Sequence, residues 1–88
     1  MNTQFLLMAQ FNGRAVVPLD EVRAAYFPHL DAHNMTRKIN RGEIALPVMR
    51  ADKSAKTARG VHIADLAAYI DAQRAAAVKE CNQLCGIN

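Results

Sequence analysis

The chain has 88 residues and a formal charge of +3, and its hydrophobic fraction of 51% leans on alanine while aromatic residues make up only 6%. A chain this short builds one small core at most, and the low aromatic content with no Trp argues for a helix-rich domain rather than a β-sandwich. Cys81 and Cys85 sit one helical turn apart, which excludes a disulfide framework, and the apolar run 5–9 is far too short to span a bilayer. No basic region precedes that run as in a secretory signal, so the expected location is the cytoplasm.

In chain order, Thr3 can cap a helix through about Phe11, with Asn12 and Gly13 supplying the stop; Phe5, Leu6, Leu7 and Met8 are apolar enough for a strand instead. Residues 14–17 form a short extended lead-in. Pro18 fits at or just before the first turn of a helix favoured by Asp20 and Glu21, whose Leu19, Val22 and Tyr26 share one face. Pro28 stops that helix and pushes Phe27 out of the helical region.

Asp31 is a good cap for a helix over 32–41 that ends at Gly42. At about 100° per residue, Ala32, Met35 and Ile39 fall in one arc, which must face the preceding helix. His33, Asn34, Arg37 and Arg41 occupy the opposite side, with Lys38 on the flank. Two short helices joined tightly, the second with a cationic outer face, describe a helix-turn-helix.

From Ile44 the period switches to two. Ile44, Leu46 and Val48 point one way, and Val61 and Ile63 continue that face from a second strand, which predicts a hairpin. His62, inside this pattern, reads as a packing residue. The hairpin tip, 51–60, carries Lys53, Ser54, Lys56, Thr57 and Arg59 and no large apolar residue, so it reads as a wing. A last helix starts near Ala64 with Asp65 in its first turn and runs to about Leu84, roughly 30 Å long. Its apolar stripe passes Ile63, Leu66, Ala67 and Ile70, then Arg74, Ala77, Val78, Cys81, Leu84 and Cys85. The second half extends past any core this domain can supply, so Ala77, Val78, Cys81 and Leu84 are expected to meet another copy of the chain.

Charge is polarised along the sequence. Between His33 and His62 there are seven Lys and Arg residues against Glu43 and Asp52, a local excess of five positive charges, and the flanks on either side each net −1. Clustered cations on one face are the footprint of a phosphate-backbone binder. A cationic helix face is commonly a solvated surface and nothing more. Here Arg37, Arg41 and Asn34 are side-chain types that pair with guanine and adenine edges, they share a face, and a cationic wing follows.

The expected DNA-binding set is His33, Asn34, Arg37, Lys38, Arg41, Lys53, Ser54, Lys56, Thr57 and Arg59. Asn34 and Arg37 are first for base readout; Lys38 and the wing residues are assigned to phosphates. The spacing of Cys81 and Cys85 matches no closed zinc site even with His29 or His33, so neither metal nor cofactor is expected. No phosphate-cradling glycine loop, paired-carboxylate site or nucleophile–base set appears, so no enzyme is expected.

The segments Met1-Asn2-Thr3-Gln4-Phe5-Leu6-Leu7-Met8-Ala9, Val17-Pro18-Leu19, Gly42-Glu43-Ile44-Ala45-Leu46-Pro47-Val48, Ser54-Ala55-Lys56 and the run 60–71 (GVHIADLAAYID) resemble the pyocin activator family over nearly the whole chain. That resemblance implies a transcriptional activator recognising a repeated promoter element, the P box, upstream of pyocin genes, and released when a repressor is cleaved in the DNA-damage response. Members often carry Gln where this chain has Ala55. Architecturally, helix, turn, helix, Gly-x-Ile-x-Leu-Pro, basic hairpin and a helix beginning Ala-Asp-Leu resemble the winged helix-turn-helix of phage excisionases and of regulators similar to the mercury-resistance activator.

The expectation is therefore an α+β, mostly α, single winged helix-turn-helix domain over 1–88. It comprises an N-terminal segment 1–13, a helix-turn-helix 18–42, a wing hairpin 44–63 and a long C-terminal helix 64–85 for oligomerisation. Double-stranded promoter DNA is the expected partner, with a second copy and RNA polymerase as further ones and no membrane. The alternatives are an excisionase-like architectural DNA binder and a protein-interaction module acting on a regulator.

Overall fold

The computed structural model describes residues 2–50 and 59–86. Asn2 opens the first helix, α1 (Thr3–Gln10), its side-chain oxygen accepting the Phe5 amide at 2.8 Å. The run 5–8 is therefore helical, and the cap is Asn2 and not Thr3. Thr3 turns its hydroxyl to the carboxylate of Asp71, 2.6 Å away. The helix ends as its terminal carbonyls are taken up by Asn12 and Gly13, both at positive φ, with the Gly13 amide on the Met8 carbonyl at 2.6 Å.

The extended lead-in is a true strand, β1 (Val16–Pro18), and Pro18 caps the following helix α2 (Leu19–Tyr26). Val22 faces the core, Leu19 is half-buried, and Tyr26 is exposed. The inward aromatic at this end is Phe27, which leaves the helix before Pro28 and packs its ring 5.9 Å from that of Tyr69. Helix α3 (Ala32–Asn40) buries Met35 fully and Ile39 in part, whereas Ala32 stays exposed.

The expected strand over 44–48 is irregular backbone. Ile44 and Leu46 are buried as the alternation required, but the Leu46 amide folds back onto the Ile44 carbonyl and Pro47 has no amide to give. Ladder pairing begins only at β2 (Met49–Arg50). β3 (Arg59–His62) lies in the middle of an antiparallel sheet of order β1-β3-β2, with Val17 opposite Val61, and Gly60 opposite both Pro18 and Met49. The third strand β1 is absent from the hairpin expectation, because three residues carry no visible period. The hairpin tip 51–58 falls outside the described residues.

His62 is the N-cap of α4 (Ile63–Leu84), accepting the Ala64 amide on Nδ1 at 3.0 Å. Its role is thus to turn the chain from strand to helix, not to pack. The first turns of α4 bury Ile63, Leu66 and Ala67 against α1 and the sheet. Together with Leu7, Phe11, Val17, Val22, Met35 and Val61 they form one core among the described residues. This is an α+β, mostly helical domain of four helices and one small sheet among those residues, consistent with a small winged-helix-like fold.

Two tests follow from this packing. Arg14 grips Glu21 through both terminal nitrogens at 2.9 Å, and that hydrogen bonding holds the Glu21 carboxyl below its ordinary value. The stabilisation is present above the ordinary carboxylate range and is lost as pH falls through the depressed value, so Glu21→Gln should flatten the acid side of a Tm–pH curve. At Gly60, an added Cβ meets Val16 Cγ1 at 2.6 Å. Gly60→Ala should lower unfolding free energy by about 1–3 kcal/mol in urea titration, and adding Val16→Ala should recover part of the loss.

Candidate nucleic-acid interface

α2 and α3 are held at a fixed angle by Arg23. Its Nε donates to Asp20 at 2.9 Å and its Nη1 to the Leu30 carbonyl at 3.0 Å, which fastens the connecting turn to the helix before it. Asp31 then caps α3, accepting the Asn34 amide at 2.7 Å. At the other end Gly42, at φ +75°, lets the Gly42 and Glu43 amides reach the Ile39 and Lys38 carbonyls. The helix is one residue shorter than expected, with Arg41 as its C-cap.

The outward face of α3 carries a shallow concave surface of about 400 Å³ lined by His33, Thr36, Arg37, Asn40 and Arg41. His33, Arg37 and Arg41 are exposed, as their positions on the helical wheel require. Asn34 behaves differently. It is half-buried, and its side-chain amide donates to Asp31 at 3.2 Å, so it helps to fix the start of the helix. Lys38 lies on the flank beside Glu43 at 3.9 Å.

β3 reaches this same surface. Arg59 Nη2 donates to the Thr36 hydroxyl at 3.0 Å, tying the base of the hairpin to the middle of α3. Arg50 is the Cα partner of Arg59 in the β2–β3 ladder, so both side chains stand on one face of the sheet. Like charges placed directly opposite one another are unfavourable in a ladder unless an anion lies near them. A groove of about 250 Å³ lined by Pro18, Leu19, Ala32, Met35, Thr36 and Arg59, among others, runs between these elements.

Among the described residues Arg14, Arg23 and Lys38 are engaged by acids, while Arg37, Arg41 and Arg50 form no ion pair. Lys53, Ser54, Lys56 and Thr57 lie outside the described residues. The structure thus brings His33, Arg37, Arg41 and Arg59 together and adds Thr36 and Asn40 to them, with Arg50 opposite Arg59 in the ladder. Thr36 and Asn40 belong to the same helical stripe as His33 and Arg37 and were legible on the wheel; selecting by charge passed over them. Ala77, Val78, Cys81 and Leu84 are all exposed on the distal part of α4.

The family model described as pyocin activator protein PrtN matches residues 3–77. The chain belongs to the pyocin activator family. Comparison with curated proteins and with solved structures found no match. Membership in the pyocin activator family implies a transcriptional-activator role, and the match takes in α1, the helix pair, the sheet and the first two-thirds of α4. Among the described residues, no helix of this pyocin activator family member is long and apolar enough to cross a membrane.

Arg23 gives the direct test of how the helix pair is held. Arg23→Ala removes a charged donor from the Leu30 carbonyl and should cost about 1.5–3 kcal/mol by urea denaturation, more than Arg23→Lys.

Proposed function

We propose that this chain is a winged helix-turn-helix transcriptional activator that binds a promoter element as double-stranded DNA, with no enzymatic activity of its own. Helix α3 enters the major groove, and the hairpin that begins at β2 and returns through β3 rests on the adjacent phosphate backbone. Arg37 and Arg41 are the side chains for base edges, with His33, Thr36 and Asn40 beside them. Arg50 and Arg59, together with Lys53, Ser54, Lys56 and Thr57, are the phosphate contacts. The family's activator role supplies the direction of regulation, and the regulated genes are those of a pyocin, which the family's description names, read as bacteriocin or phage-like genes. The cytoplasm is the compartment in which such DNA is met, and RNA polymerase is the machinery that an activator engages.

The observation that carries this reading is the 3.0 Å hydrogen bond from Arg59 to Thr36, because it ties the cationic hairpin base to the helix that carries Arg37 and Arg41, which form no ion pair among the described residues. Duplex DNA repeats its charge every few ångströms along a continuous surface, and only cations on one side can meet it together.

The test is fluorescence anisotropy with a labelled duplex recovered by footprinting upstream regions of the source genome. Arg37→Ala and Arg41→Ala should each cost about 1–3 kcal/mol and relax the preference at one position of the site. Lys53→Ala, Lys56→Ala and Arg59→Ala together should weaken all sequences alike and reduce the slope of log K against log salt by about 2.7. Affinity unchanged at every salt concentration would take the hairpin out of the interface, and no duplex binding even at low salt would overturn the reading.

A further inference from the structure

The face of α4 that enters the core does not stop where the core stops. Leu66, Ile70 and Gln73 lie along one line of the helix, and the same line continues through Ala77 to Leu84. From Asp71 onward almost every residue of α4 is exposed, Val78 at 43% and Leu84 at 81%. Leu84 is the most exposed large apolar side chain among the described residues. Some 20 Å of helix therefore projects past Asp71, where Thr3 marks the start of α1 against it.

One feature on the same face is concave. Between the end of α2 and α4 lies an apolar groove of about 260 Å³ lined by Tyr26, Phe27, Leu66, Tyr69, Ile70 and Gln73. The groove and Leu84 are thus a depression and a projection on one line of one helix, fourteen residues apart from Ile70 to Leu84.

The geometry points to a second copy of this chain as the occupant: two α4 helices pack antiparallel, and Leu84 of each enters the groove of the other. Symmetry then fixes the rest. If Leu84 meets Ile70 across the pair, Ala77 is midway and lies against its own copy on the two-fold axis, where its small side chain lets the helices approach closely. The contact is isologous and closes on itself, so it yields a dimer and not a filament.

Charge favours a copy over a foreign partner. Along the projecting segment, Arg74 and Lys79 balance Asp71 and Glu80, so two identical copies meet without net repulsion, and a strongly charged partner finds no complement there.

Sedimentation equilibrium of the full chain without DNA reads the assembly apart from promoter binding. The expected result is twice the 9.7 kDa chain mass at micromolar concentration, halved by Leu84→Glu with an unchanged circular dichroism spectrum. In a Cys81→Ser/Cys85→Ser background, Ala77→Cys should cross-link to itself under mild oxidation, while Ala68→Cys, on the opposite side of α4, should not. A single-chain mass for the unmodified protein at 100-fold higher concentration would overturn the inference. A dimer that survives Leu84→Glu, or that cross-links at position 68 and not 77, would overturn it equally.

Discussion

The four residues of β3 govern the geometry of everything around them. Gly60 is paired on both sides, to Pro18 of β1 and Met49 of β2, and the space beside it admits no Cβ without displacing Val16. Because residues two apart on a strand share a face, that register sends Val61 fully into the core and sets Arg59 at the edge of the same face, where it meets Thr36. A slip of one residue would expose Val61 and carry Arg59 away from α3. His62, next in line, ends the strand by capping α4. Sheet register, hairpin position and the start of the long helix are thus one constraint, enforced by the absence of a side chain at residue 60.

The same economy governs the charges. Arg14 and Arg23 are used up in holding the loop after α1 and the turn before α3, each with a carboxylate partner and a backbone carbonyl. Lys38 is beside Glu43 at the helix end. These cations act as fasteners. Arg37, Arg41 and Arg50 are left with no carboxylate among the described residues, which separates, within a chain of modest net charge, the side chains that build the domain from those that can serve a ligand.

How much of this was legible in the sequence depends on the kind of signal each feature leaves. The helix pair was readable because Pro18, Pro28, Asp31 and Gly42 are local instructions whose effect does not depend on the rest of the fold. The stripe His33, Arg37, Arg41 was readable by angle alone. What escaped was settled by tertiary context: β1 is too short to show a period, and Asn34 matches an adenine-reading residue in type yet bonds to Asp31 because the cap sits three residues before it. His62 looked like a strand residue since the boundary between β3 and α4 falls on it. The alternation of Ile44 and Leu46 identified the buried side chains correctly while overstating the strand, for burial needs only direction and a ladder also needs free amides.

The division of α4 has a consequence for how this chain can vary. Ile63, Leu66 and Ala67 are committed to the core, whereas residues beyond Asp71 contribute almost no buried surface to it. Folding therefore places few demands on this distal half of the helix, and substitutions there are nearly free of penalty to the domain itself. The identity of that segment is open to selection for encounters outside the molecule, independently of the strand that shapes its opposite end.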